Sequence, residues 1–269
     1  MLVCLAHPDD ESFGMGGMLA KYARQGVGIT LVCATRGEAG TVDPEFLEGF
    51  ASVAELRESE LACAAEVLGL SEVIYLGYRD SGMAGSADND HQASFAGADE
   101  AEVAQKVAAI MRQKQPDIVI TFDATGGYHH PDHIAIHNAT VRAFEGLETA
   151  RRPKALYFTA RSRKSLRRLV RLMRLTGKNP KEMGRNKDID LTRLVADGDT
   201  PPHVSVDYSS VLQQKERADR CHASQLGENG LSGNALLRFF RRLGGNKDRF
   251  TRHYPPTEDN FRSTDLFAI

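Results

Sequence analysis

Short, unbroken apolar runs separated by helix-length segments restrict the fold of this chain more than any other feature. Leu2–Leu5, Ile29–Ala34, Val73–Leu76, Ile118–Phe122 and Ala155–Thr159 are such runs. A strand with one wet face alternates apolar and polar residues, so a run that is apolar throughout predicts a strand buried on both faces. The intervening segments predict helices at Phe13–Ala23, Val53–Leu68, Asp99–Lys114 and Pro131–Phe144. Ser12 is placed to cap the first, Gly69 to stop the second, and Pro131 occupies a favourable first-turn position in the last. Strands alternating with helices predict an α/β fold, a mostly parallel sheet covered by helices on both faces.

The second half is less regular. Ser165–Leu175 reads as a basic amphipathic helix, 178–200 as a polar loop, His203–Asp207 as a strand, Ser209–Ser224 and Ala235–Leu243 as helices, and the tail from Tyr254 as extended. Neither an internal repeat nor a low-complexity linker divides the chain. A single domain over 1–269 is therefore expected, with an α/β core in 1–150 and a C-terminal elaboration in 151–269. The segment 80–98 is Gly-, Ala-, Ser- and Asp-rich without periodicity, and an aperiodic loop of that length in a compact domain is usually functional.

Charge divides at the same place. Residues 1–150 carry a net charge of −14 and residues 151–269 a net of +12, which leaves −2 for the whole chain. That balance argues against a general nucleic-acid binder. No stretch approaches the ~20 apolar residues that span a bilayer. The N-terminus lacks a signal-peptide pattern, so a cytoplasmic protein is expected. Cys4, Cys33, Cys63 and Cys221 are widely spaced, which predicts reduced thiols and neither a disulfide framework nor a cysteine–zinc site.

Two segments concentrate the chemistry. Ala6-His7-Pro8-Asp9-Asp10-Glu11 follows the first strand, and Gly126-Gly127-Tyr128-His129-His130-Pro131-Asp132-His133 follows the Ile118–Phe122 strand. The carboxyl ends of parallel strands are where open α/β sheets bind ligands. Imidazole and carboxylate together suit Zn²⁺, and a catalytic zinc keeps three protein ligands and one open position for water. One loop can present His7 and Asp10. His130 and His133, three apart at a helix start, share a face. A His/Asp/His set leaves a water whose pKa falls towards ~7.

The chain resembles the LmbE-like, or PIG-L, family of zinc-dependent N-acetylglucosamine deacetylases. AHPDDE at 6–11 and HPDH at 130–133 carry the resemblance, together with ELRESEL at 55–61, YRDSGM at 78–83 and FDATGGYHHPDH at 122–133. KERADRCHASQ at 215–225 and the terminal TDLFAI are also similar. The match is closest to the branch that acts on a mycothiol precursor or on mycothiol conjugates. It is dense to about residue 145, thin over 150–205 and patchy beyond.

The resemblance implies a Rossmann-like three-layer fold and hydrolysis of the acetamide of an N-acetylglucosamine-containing small molecule. It makes His7, Asp10 and His133 the zinc ligands, with Fe²⁺ compatible with the same set. Asp9 becomes the base, and next to a dication it should stay ionised. His130 stabilises the oxyanion or protonates the leaving amine, with Asp132 tuning it. Tyr128 polarises the carbonyl or helps hold the oxyanion, and Arg57 and Asp80 hold sugar hydroxyls. His129 departs from the glycine usual in that branch.

Competing readings are an amidase acting on a mycothiol-like conjugate, a metallo-phosphoesterase, and a binding protein for an anionic partner through the basic 151–174 stretch. The Phe13–Gly17 glycines fit close helix packing better than a dinucleotide site. The expected partner is a small amino sugar, without nucleic acid or a membrane span, and the chain is compatible with a homo-oligomer.

Overall fold

The computed structural model describes residues 1–160, 163–183, 189–197, 202–226, 245–258 and 260–269. The five apolar runs form parallel strands: β1 (Leu2–Leu5), β2 (Thr30–Cys33), β3 (Glu72–Tyr75), β4 (Ile118–Thr121) and β5 (Ala155–Thr159). All four residues of β1, β2 and β4 are buried, as their continuous apolar character requires. Two further strands, β6 (Val204–Asp207) and β7 (Lys247–Tyr254), complete a seven-stranded sheet of order β3-β2-β1-β4-β5-β7-β6. β7 runs antiparallel to both its neighbours.

Helices cover both faces, giving the α/β three-layer arrangement. α1 (Asp10–Arg24), α2 (Val53–Leu68) and α8 (Leu212–Cys221) pack together, and α3 (Glu100–Lys114) packs on α5 (Pro131–Glu145). The chain leaves β1 towards β2 on one side, and leaves β4 towards β5 on the other. The carboxyl ends of β1 and β4 therefore flank the switch point of the sheet, where a crevice opens.

The structure revises several sequence expectations. α1 starts at Asp10, and its N-cap is Asp9, not Ser12. It kinks at Met15 (φ −152°), and the Met18 N–H released there donates to Asp248 Oδ2 at 2.7 Å. Gly17 lets that helix approach Tyr208, because a β-carbon on Gly17 would lie 2.1 Å from the ring. The polar 178–200 stretch contains α7 (Leu191–Ala196). The helix expected over Ser209–Ser224 is broken at His222 into α8 and α9 (Ala223–Leu226). The helix expected at Ala235–Leu243 lies outside the described residues.

Cys63 and Cys221 are joined by a disulfide, contrary to the expectation of reduced thiols; Cys4 and Cys33 are free and buried. The pairing links α2 to the end of α8 across 158 residues of sequence, a proximity that only the packing of the two helices creates. Among the described residues, no helix is long and apolar enough to cross a membrane.

The described residues form two hydrophobic cores. The main one surrounds the sheet. The smaller gathers Val170 and Met173 of α6 (Arg163–Leu175) with Leu191 and Leu194 of α7, and the Tyr128 and Ile189 side chains pack against it. α6 is thus the expected basic amphipathic helix, with Val170 and Met173 buried and Arg168, Arg171 and Arg174 exposed.

Candidate active site

The two predicted segments meet at the crevice. Pro8 and the Asp9 φ of 111° turn the chain sharply out of β1, and that left-handed conformation is uncommon outside glycine. Three contacts hold it. The Asp9 N–H donates to Glu11 Oε2 at 2.9 Å, Arg57 Nη2 donates to Asp9 Oδ2 at 2.8 Å, and the same nitrogen donates to the Pro8 carbonyl. On the other side, the irregular turn α4 (Gly126–His129) leads through His130, the N-cap, into α5. Gly126 (φ 59°) is needed there, because a β-carbon would lie 2.8 Å from that of His133.

His7, Asp10 and His133 form a tight triangle. His7 Nδ1 lies 3.1 Å from His133 Nε2 and 3.6 Å from Asp10 Oδ2, and His133 Nε2 lies 3.3 Å from Asp10 Oδ1. Tetrahedral ligands at zinc distances stand about 3.3–3.5 Å apart. The donor set and its spacing therefore fit a divalent ion. The outer nitrogens are held as metal-bound imidazoles usually are. His7 Nε2 faces Asp132 Oδ2 at 3.1 Å and Asp80 Oδ1 at 3.4 Å, and His133 Nδ1 donates to the Gly126 carbonyl at 3.1 Å. His130 is close enough for its ring nitrogen to join His7 and His133 within 4.8 Å.

The electrostatics describe a place built for positive charge. Burial opposes a charge on His7, yet Asp80, Asp10 and Asp132 outweigh it and raise its pKa well above the usual value. Burial works against the charge of Asp10 as well, but His133 and His7 hold its carboxyl below the usual range. Asp80 is held low against burial by His7. His130 behaves in the opposite way: burial, then the charges of His7 and His133, push it down to about 2. Its Nδ1 accepts the Asp132 N–H at 3.2 Å, so the ring proton sits on Nε2. Burial raises Asp9 to about 6, with Arg57 pulling the other way.

Asp132 differs from its expected placement. Its carboxylate lies on His7 and accepts the Ser81 N–H at 2.9 Å; it touches His130 only through its own backbone. Arg57, expected at sugar hydroxyls, is occupied by Asp9 while still lining the cavity. Asp80 lines the cavity and accepts the Gly82 N–H. Glu38 accepts the Asp80 N–H at 3.0 Å, which fixes the start of the 80–98 loop beside the His7–Asp10–His133 triangle.

The sequence left other contributors unassigned. Glu11 binds His222 Nε2 at 2.7 Å, and both side chains are fully buried. Its place inside AHPDDE was the available signal. His137 is buried and donates to the Phe122 carbonyl. The cavity, about 290 Å³, is lined also by Thr41, Met83, Ile189 and Gln225. Gln225 stands at the end of the KERADRCHASQ segment.

Residues 2–144 match the family described as PIG-L: GlcNAc-PI de-N-acetylase. A 1D-myo-inositol 2-acetamido-2-deoxy-alpha-D-glucopyranoside deacetylase of Acidothermus cellulolyticus is 37% identical over 253 residues, covering 89% of this chain and 85% of the relative. The fold resembles the N,N'-diacetylchitobiose deacetylase of Pyrococcus horikoshii (TM-score 0.56, 22% identity, 93% of this chain and 82% of that one). It equally resembles the 4-carboxy-2-hydroxymuconate hydratase of Pseudomonas putida (TM-score 0.58, 20% identity, 97% and 98%). One scaffold thus carries more than one chemistry, and the site has to decide between them.

Proposed function

The chain belongs to the PIG-L family, and from that premise we propose that it is a zinc-dependent deacetylase that hydrolyses the acetamide of an N-acetylglucosamine-containing small molecule and releases acetate. The single observation that carries this reading is the His7–Asp10–His133 triangle, with Asp9 beside it and a neutral His130 across the cavity. His7 Nδ1, Asp10 and His133 Nε2 would hold the ion. Zinc held there would supply Lewis acidity for amide hydrolysis at neutral pH.

The chain's own residues supply the proton transfers. Asp9, ionised at neutral pH and held by Arg57, takes the proton of the attacking water. Burial and the neighbouring His7 and His133 favour neutral His130, whose Nδ1 is already taken by the Asp132 N–H, so the ring offers a hydrogen-bond donor at Nε2. Its Nε2–H points the role towards the oxygen that gains charge when the acetamide carbon becomes tetrahedral. Asp9 then carries the proton that the departing amine needs. Tyr128 stands beside the two histidine rings, at 5.0 Å from that of His133, where its hydroxyl can add a second donor to the same oxygen. Arg57, Asp80, Thr41 and Gln225 supply polar contacts for sugar hydroxyls. The acetamido-glucosyl inositol named for the Acidothermus relative is the proposed substrate class.

Acetate release from N-acetylglucosaminyl inositol and from N-acetylglucosamine, with metal content measured in parallel, tests this. Stripping the metal should abolish release and zinc should restore it. Asp9→Asn should keep the metal and lose about 10²–10⁴-fold in kcat, whereas Asp10→Asn should lose the metal. Acetate release that survives metal removal, or equal metal loss in both variants, would refute the assignment.

A further inference from the structure

The turn that carries Tyr128 is held in a costly conformation. Gly126, Gly127 and His129 all have positive φ, at 59°, 72° and 65°. Glycine adopts such angles freely, but a histidine does so under strain. Strain of this kind persists only where surrounding contacts impose it. Two contacts do so at His129: its N–H donates to the Thr125 carbonyl at 3.0 Å, and its Nε2 lies 2.9 Å from Asp197 Oδ2, with each of those side chains only 18% exposed. Asp197 is the residue that closes α7.

The neighbouring residues give that contact its leverage. The Tyr128 side chain packs against the small core formed by Val170, Met173, Leu191 and Leu194. Ile189, just before α7, packs on the same core and lines the catalytic cavity. The α6–α7 lobe therefore meets the catalytic floor through the Tyr128 ring and, one residue on, through the His129–Asp197 pair. A partly exposed polar contact of this kind adds little to stability. Its position gives it influence over a side chain in the site.

We propose that His129 is a positioning residue: through Asp197 it clamps the α6–α7 lobe to the Tyr128 turn, which fixes the phenol over the cavity and sets the wall at Ile189. The proposal rests on the deacetylase reading for its kinetic consequences. A glycine at 129 would relax the backbone and release the lobe. The histidine accepts backbone strain in return for the clamp.

Kinetics of His129→Gly, His129→Gln and Asp197→Ala, each in the Tyr128 and Tyr128→Phe backgrounds, test the clamp. His129→Gly and Asp197→Ala should each lower kcat about tenfold, because a small displacement of a reacting group is costly. His129→Gln, which can still donate to Asp197, should recover most of the loss. In the Tyr128→Phe background, His129→Gly should cost less than about twofold, because the phenol it positions is gone. Amide hydrogen exchange over 189–197 should rise in both clamp variants while β1–β4 and bound zinc stay as in the parent. Wild-type kcat in the clamp variants, or an equal loss with and without the Tyr128 hydroxyl, overturns the proposal. A parent enzyme that releases no acetate from any N-acetylglucosaminyl substrate refutes the deacetylase reading instead. In that case unchanged exchange over 189–197 still rejects the clamp.

Discussion

Replacing Asp132 separates an effect on metal binding from an effect on His130. The side chain is fully buried, and Oδ2 serves two donors, His7 Nε2 at 3.1 Å and Ser81 N–H at 2.9 Å. Oδ1 has no hydrogen-bond partner among the described residues. An asparagine can place its oxygen where Oδ2 stands and its amide nitrogen where Oδ1 stands, so it keeps both hydrogen bonds and loses the charge alone. Loss of an outer partner of a metal-bound histidine weakens the metal by about 10–100-fold. Asp132→Asn should therefore fall near the tenfold end, about 1.4 kcal/mol. Asp132→Ala leaves the Ser81 N–H and the His7 ring nitrogen unpaired in a buried site, and belongs at about 100-fold or beyond. Competition for zinc against a chromophoric chelator measures both, and kcat is read at saturating zinc. If Asp132 acted on His130, the order would invert: unchanged zinc affinity and a large fall in kcat. That result would refute the geometry argued here.

Two further perturbations test the framework around the site. Cys63→Ser with Cys221→Ser opens a loop of 158 residues; the chain-entropy cost of about 5 kcal/mol is an upper bound, and a fall in Tm of roughly 5–10 °C is expected. Thiol titration of the unfolded, unreduced parent should find the two cysteines Cys4 and Cys33, and four would refute the pairing. Asp248 gives a pH signature: burial raises its carboxyl to about 7, while Met18 N–H and Lys215 pull it down. The unfolded chain releases that proton near pH 4, so between about pH 4 and 7 unfolding releases a proton and this group lowers stability as pH rises. Asp248→Asn keeps an acceptor for Met18 N–H, and its Tm should gain on the parent across that window; parallel Tm curves would reject the shift.

The parallel half of the fold was legible because burial on both faces leaves a continuous apolar imprint, and β1 and β5 lie where their runs end. β7 left no such imprint. Its sequence KDRFTRHY buries Phe250 and Arg252, the latter over the Phe261 ring, and holds no continuous apolar run. α7 is six residues long inside a polar stretch, too short for periodicity to register. The meeting of His7, Asp10 and His133 could be anticipated because both segments sit at strand ends. The partner of Asp132 could not, since which imidazole it reaches depends on how α5 is set against β1. The same holds for Glu11 with His222 and Cys63 with Cys221, contacts that exist only once α8 has docked.

The strand order also bears on how the chain can be made. Each of β2 to β5 joins a strand that is already synthesised when it appears, so the catalytic half can assemble as it emerges from the ribosome. β6 breaks that sequence. Its strand partner is β7, which also occupies the edge of β5 and is translated later. Until residues 247–254 arrive, β5 keeps an open edge and β6 has no strand to join, which leaves a nascent chain exposed to strand pairing with its neighbours. Truncation before β7 should therefore reach beyond the loss of one strand, because it leaves β6 without its place in the sheet and β5 without its cover.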